Sequence, residues 1–212
     1  VKNLFVAAPA FFALDIFNPA CLWPILGATG AFSLLCGSVY MLNDIQDREL
    51  DRHHPRKCKR PVASGDLAPG TALLLALIIS ILALGILFAL DVRAGWVAVV
   101  YGTVNVAYSL GLKRVMILDV MLIALGFVLR LLLGAAAGGI SLSPWILLMT
   151  YELTLFLGLV KRRSERRRIN PRDLRTSSRR NLHRYPLGLL DQLIAIVTAA
   201  TLVSYSLYVL DP

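Results

Sequence analysis

An all-α bundle of membrane-spanning helices is the fold class this sequence predicts, and three observations predict it. Hydrophobic residues make up 57% of the 212-residue chain, and mean hydropathy is +0.68. Soluble domains sit near half apolar or below. The apolar residues fall in long runs close to the ~20 residues needed to cross a bilayer, and most runs are apolar on every side. The bases gather in alternate loops, where 19 of the 22 Lys and Arg lie.

Taken in order, residues 4–14 are apolar but short of a full span. The helix is expected to begin before residue 1 or to kink around Pro9. The second span covers about 20–42 and leads into an acidic stretch. The third covers about 67–90, with Asp66 as its N-cap. A tight turn at Asp91–Gly95 leads into the fourth, about 95–112, which ends at Lys113 and Arg114. The fifth is about 116–138, stopped by Gly138 and Gly139. Pro144 opens the sixth, about 143–161. A long basic loop, 161–184, precedes the seventh, about 186–210. The chain starts at Val1 without a charged stretch leading to a cleavage site, so a trimmed chain with no signal peptide is expected.

The loop after span two carries Arg48, Arg52, Arg56, Lys57, Lys59 and Arg60. The loop after span four carries Lys113 and Arg114, and eleven more bases lie between Lys161 and Arg184. The other connecting loops hold only Arg93. One topology accounts for all of this: the N-terminus and the three basic loops face the cytoplasm. The net charge of +9 follows from that rule, so no nucleic-acid partner is expected. Cys21, Cys36 and Cys58 form no CxxC pair, and no disulfide framework follows. Oligomeric state is not readable from the sequence.

The stretch that carries chemistry runs from Asn43 to Gly65, NDIQDRELDRHHPRKCKRPVASG. Asp44, Asp47 and Asp51 are spaced by three and four residues. If the second helix continues through them, they fall within about 60° on one face, which Gly37 and Tyr40 extend backward. Three stacked carboxylates repel one another and call for a cation. Mg²⁺ takes oxygen ligands and bridges to substrate phosphates. The plainer reading is a solvated interfacial loop.

The pattern N-D-x-x-D-x-x-x-D, followed by a basic stretch and R-P-x-A-S-G, resembles the first aspartate-rich motif of the UbiA superfamily of intramembrane prenyltransferases. Asn43, Asp44, Asp47 and Asp51 match it, as do Arg60, Pro61, Ser64 and Gly65. The resemblance implies a single UbiA-type domain over 1–212 with about seven of an expected nine helices. It also implies Mg²⁺ held by Asn43, Asp44, Asp47 and Asp51 on a diphosphate. Superfamily members often carry a second aspartate motif after the sixth span. Here that place reads LVKRRSERRR, with Lys161, Arg162 and Arg163 where acids are expected.

One acidic and one basic motif suit a phosphorylated donor with a second phosphate. The chain is similar to the decaprenyl-phosphate phosphoribosyltransferase branch at residues 2–9, 43–57, 108–113, 118–130 and 156–165. That resemblance implies transfer of 5-phosphoribose from phosphoribosyl diphosphate to a polyprenyl phosphate, for cell-envelope precursors, at the cytoplasmic face of a bacterial inner membrane. Asp44, Asp47, Asp51 and Asp119 are the expected catalytic acids. Lys2, Asn43, Arg60, Tyr108, Lys113, Arg130, Lys161 and Arg162 are the expected substrate contacts. The alternatives are a prenyl diphosphate-dependent prenyltransferase acting on an aromatic or other small acceptor, and a membrane transporter.

Some expectations come from the residues themselves. Asp119 sits inside an apolar span, where an acid is costly. Asp119, Gly126 and Arg130 share one helical face. Arg130 and Glu152 fall at similar depth on consecutive antiparallel spans, so an ion pair between them is expected. Glu165 is expected to pair with a neighbouring arginine. Arg179, Arg180 and Tyr185 are expected in a polar loop at the lipid headgroups.

Overall fold

A computed structural model describes residues 2–13, 18–168 and 185–210, and all regular structure among them is helical. The α-helices are α1 (Ala8–Phe12), α2 (Pro19–Gln46), α3 (Arg48–Arg52), α4 (Pro61–Ser64), α5 (Pro69–Leu90), α6 (Val92–Leu110), α7 (Leu118–Gly138), α8 (Pro144–Arg168) and α9 (Leu187–Leu210). Short 3₁₀ turns occupy Lys2–Val6, Lys57–Lys59 and Leu112–Arg114. Five helices, α2, α5, α7, α8 and α9, are long and apolar enough to cross a membrane. The chain divides into two compact units. One comprises Val1–Ser109 with Arg130–Ser141, the other Leu110–Leu129 with Leu142–Pro212.

The first unit is built on α2 and α5, which pack along each other. Asn18 caps α2, its Oδ1 accepting the Ala20 N–H at 3.1 Å, and Pro19 takes the first helical position. The face of α2 bearing Cys21, Ile25, Ala28, Phe32, Leu35 and Val39 is buried, the 3–4 spacing of one helical stripe. Alanines 72, 76 and 83 of α5 are buried as well, small enough for close approach. Ser80 of α5 donates to Ser38 Oγ of α2 at 2.8 Å, a polar tie in an apolar seam. Asp91 ends α5 and caps α6, its Oδ1 accepting the N–H groups of Arg93 and Ala94 at 2.7 and 3.0 Å.

Within the second unit, α8 packs on α9. Val120, Leu159, Tyr185, Leu190 and Val197 form its buried cluster. Gly158 lets α8 approach Val120 of α7, since a Cβ there would meet the Val120 side chain.

Three expectations need correction. Residues 2–12 form a 3₁₀ turn and the five-residue α1 rather than one helix kinked around Pro9. This segment is tied instead to α2, with Asn3 Nδ2 donating to Ser33 Oγ at 3.1 Å. Asp66 does not cap the third long helix, because Pro69 holds Ala68 extended at ψ 138° and the cap position falls there, two residues beyond Asp66, which instead accepts from Ser64 Oγ–H at 2.7 Å. Tyr185 is not at a polar surface but fully buried. Arg179 and Arg180 lie outside the described residues.

Candidate functional site

The helical ladder of α2 runs almost through the aspartates. Asp47 N–H bonds the Asn43 carbonyl at 2.9 Å, and Asp51 N–H bonds the Asp47 carbonyl at 2.8 Å. The expected continuous helix breaks only at Asp47, whose ψ of 6° opens one turn before α3 resumes. The chain then reverses at His54, where Nδ1 accepts the backbone N–H groups of Arg56 and Lys57 at 3.2 and 3.3 Å. That role requires an unprotonated Nδ1.

RPVASG is a scaffold for one side chain. Arg60 is extended at φ −68°, ψ 140°, the region that a following proline imposes. Pro61 opens the single turn of α4, and Gly65 closes it at φ +96°, a left-handed position suited to glycine. Arg52 Nε–H donates to the Ala63 carbonyl at 3.3 Å and ties this turn back to α3. The result aims Arg60 at the acids. Its Nη1 donates to Asp44 Oδ1 at 2.7 Å and to Asp51 Oδ2 at 2.8 Å. Lys57 Nζ lies 3.5 Å from Asp51 Oδ1.

Asn43, Asp44, Asp51 and Arg60 therefore stand within one short stretch of structure, with Asp47 half-buried at the break between α2 and α3. Among the described residues no three His, Cys, Asp or Glu side chains converge as a finished metal cage. The donor set nevertheless suits a hard cation, being all oxygen. Asn43 Oδ1 is buried with no hydrogen-bond partner among the described residues, an acceptor left over for a ligand.

Elsewhere in the first unit, buried Arg130 donates from Nη2 to Tyr101 Oη at 2.7 Å. Its guanidinium lies 4.9 Å from the Tyr101 ring centre and 5.5 Å from that of Phe32, both cation–π contacts. Cys36 Sγ–H reaches the same Tyr101 oxygen at 3.4 Å. Tyr101 was not singled out from sequence. Its signal is a position two helical turns before Tyr108, on the same face of α6. Tyr108 is half-buried and Lys2 exposed.

In the second unit, Asp119 is buried between two donors. Arg162 Nη2 donates to its Oδ2 at 2.8 Å, and Tyr185 Oη–H donates to its Oδ1. Tyr185 Oη in turn accepts the Ile117 N–H at 2.6 Å. Ile117 has φ +70°, a conformation that a β-branched residue rarely adopts. Burial first, and then the hydrogen bond to Asp119, push the Tyr185 phenol above its ordinary pKa, so it stays protonated. Arg162 also donates to Glu165 at 3.2 Å, the pairing expected for that acid. Lys113 is half-buried in its 3₁₀ turn, and Lys161 is exposed on α8. An open cleft of about 520 Å³ is lined in part by Arg163 and Asp191, which form an ion pair.

Asp119, Gly126 and Arg130 are all buried, in keeping with their shared face on α7. The ion pair expected between Arg130 and Glu152 joins residues of different units. Inside its own unit each has another partner: Tyr101 for Arg130, and Ser204, whose hydroxyl donates to Glu152 Oε1 at 2.9 Å.

Residues 3–210 match the sequence profile of the UbiA prenyltransferase family. The chain is 37% identical over 169 residues to a decaprenyl-phosphate phosphoribosyltransferase of Corynebacterium glutamicum, covering 78% of this chain and 51% of that protein. It is 37% identical over 134 residues to the enzyme of the same name from Mycolicibacterium smegmatis, covering 63% and 42%. The chain thus spans about half the length of these curated relatives. Its fold matches a UbiA homolog from Archaeoglobus fulgidus bound to DMAPP and Mg²⁺, with TM-score 0.76 over 97% of this chain and 73% of that one, at 17% identity.

Proposed function

The chain belongs to the UbiA prenyltransferase family, and we propose that it is a Mg²⁺-dependent membrane transferase of the phosphoribosyl branch. It moves 5-phosphoribose from phosphoribosyl diphosphate to a polyprenyl phosphate and releases pyrophosphate. The observation that carries this reading is the convergence of Asp44 and Asp51 on one arginine. The likeness to the two phosphoribosyltransferases supports the donor and acceptor. The five apolar helices and the family make the chain an integral membrane protein. Its site faces the cytoplasm by the charge rule, and the likeness to the bacterial phosphoribosyltransferases supports a bacterial inner membrane. We read the two units as parts of one UbiA-type domain.

Asn43, Asp44, Asp47 and Asp51 would hold Mg²⁺, which supplies neutralisation of the charge on the departing pyrophosphate. The C1–oxygen bond to pyrophosphate breaks, and an acceptor phosphate oxygen bonds to C1. Carboxylates near the developing positive charge on the ribose favour that step electrostatically. The acceptor is already anionic near neutral pH, so positioning matters more than proton removal. Lys2, Lys113, Lys161 and Arg162 are the cations for the 5-phosphate and the acceptor phosphate. Asp119 holds Arg162 in place and is read here as its anchor. Tyr108 and Arg130 complete the set of substrate contacts.

The test is direct. Membranes carrying the protein receive labelled phosphoribosyl diphosphate and polyprenyl phosphate, with and without Mg²⁺. A labelled lipid that forms only with Mg²⁺, and is lost in Asp44→Asn and Asp47→Asn, supports the reading. Label arriving on a small acceptor from a prenyl diphosphate would instead make the chain a prenyltransferase of the commoner kind. Uptake of label into vesicles without a lipid product would point to transport.

A further inference from the structure

The aspartate loop contains a cation of its own. One guanidinium nitrogen of Arg60 bridges Asp44 and Asp51 at 2.7 and 2.8 Å, and Lys57 covers the other Asp51 oxygen at 3.5 Å. Arg60 and Lys57 offset the charges of Asp44 and Asp51, which lowers the attraction a bare divalent cation meets at these oxygens. It must displace Arg60 to use Asp44 Oδ1 and Asp51 Oδ2. The arginine is well placed to leave, because its side chain is 39% exposed while that of Asp51 is 3% exposed. A diphosphate offers the planar guanidinium of Arg60 a bidentate partner in exchange for the two carboxylates.

We propose that Arg60 is the resident counter-cation of this loop. It bridges Asp44 and Asp51 until a diphosphate takes its guanidinium, so that metal and diphosphate load together. The inference rests on the reading of the loop as a Mg²⁺–diphosphate site and adds an order of events to it. Arg60 thereby does two things with one side chain. It keeps two facing carboxylates from repelling each other in the resting protein, and it grips the donor once the metal has replaced it. The neighbouring chemistry of RPVASG fits such an exchange. Pro61 and Gly65 fix the backbone of the turn, so the side chain can swing without the loop unfolding.

The experiment uses the full chain in nanodiscs, with Mn²⁺ followed by electron paramagnetic resonance and pyrophosphate as the diphosphate probe. Arg60→Gln is expected to bind Mn²⁺ alone about tenfold more tightly than wild type, because the competing charge-assisted bonds are gone. The same variant is expected to bind Mg²⁺–pyrophosphate about tenfold more weakly. Arg60→Lys keeps the charge and guards against misfolding. It is expected to fall between wild type and Arg60→Gln in both measurements. Mn²⁺ affinity in Arg60→Gln equal to or below that of wild type overturns the proposal, as does a lysine variant equal to wild type in both readings. The doubly substituted Asp44→Asn, Asp51→Asn protein separates the two levels of the argument. If it keeps the wild-type Mn²⁺ signal, the loop is not the metal site and the functional reading falls. If it loses that signal while Arg60→Gln matches wild type, only the role of Arg60 falls.

Discussion

Asp44 and Asp51 meet Arg60 where the arginine is 39% exposed, whereas Asp119 meets Arg162 where both side chains are less than a tenth exposed. The groups are the same and the distances nearly equal, at 2.7–2.8 Å. Their surroundings assign them different work. A pair with an exposed member gains less net stability, because water competes for the exposed charge, and that member can exchange partners. A buried pair has already lost its water, so each charge depends on the other. In the second unit the donors to Asp119 are themselves buried, Arg162 on one oxygen and Tyr185 on the other. Asp119 stands inside an apolar span, where an acid is costly, and its two buried donors are what support our reading of it as the anchor of Arg162.

Four substitutions sharpen or break this contrast. The largest effect is expected from Asp119→Ala, which leaves Arg162 buried without its main counter-charge. A loss of about 3–5 kcal/mol is expected, read as a lowered thermal midpoint in detergent. A midpoint near that of wild type would make the second site exchangeable like the first. Next is Asp44→Asn, expected to cut turnover by about a hundredfold or more, equivalent to about 2.7 kcal/mol of barrier. Its thermal midpoint should stay within about 1 kcal/mol of wild type, as for a partly exposed pair. If stability falls and activity does not, the two sites have exchanged roles.

Tyr185→Phe removes the hydroxyl that joins Asp119 to the Ile117 N–H, and about 1–3 kcal/mol should be lost. The effect carries a pH signature. The folded phenol has a pKa above the ordinary value of 10.0, burial being the main cause. Its stabilisation is complete below about pH 10 and declines above it, because the unfolded tyrosine releases its proton first. The stability gap between wild type and Tyr185→Phe should therefore narrow as pH rises past 10, in paired melts. The smallest effect is expected from Arg163→Ala. Its pair with Asp191 is 33% and 48% exposed, so a change of no more than about 1 kcal/mol should appear by denaturant titration.

Much of the architecture was legible because its causes are local. Apolar runs of sufficient length can satisfy their backbone in a membrane only as helices, and α2, α5, α7, α8 and α9 follow from that. Asp44, Asp51 and Arg60 stood out by spacing and motif, and they do lie together. Where the reading failed, a local signal lost to a nearby competitor. Asp66 has the right chemistry for a cap, but Pro69 starts the helix two residues too late for it. Residues 4–14 are apolar enough to begin a span, but the segment breaks into short turns tied to α2.

By itself, then, the sequence determined the helices, the acidic stretch and the one-turn scaffold of RPVASG. Each depends on residues within a few positions of one another, through hydrophobic length, proline and glycine geometry, and side-chain spacing. Only the tertiary structure decided who neutralises whom. Arg60 returns over sixteen residues to Asp44, Tyr101 crosses 29 to Arg130, Arg162 crosses 43 to Asp119, and Tyr185 crosses 66 to the same acid. A charge in a low-dielectric interior takes whichever donor the packing delivers, and packing is a property of the folded chain, not of any short stretch of it.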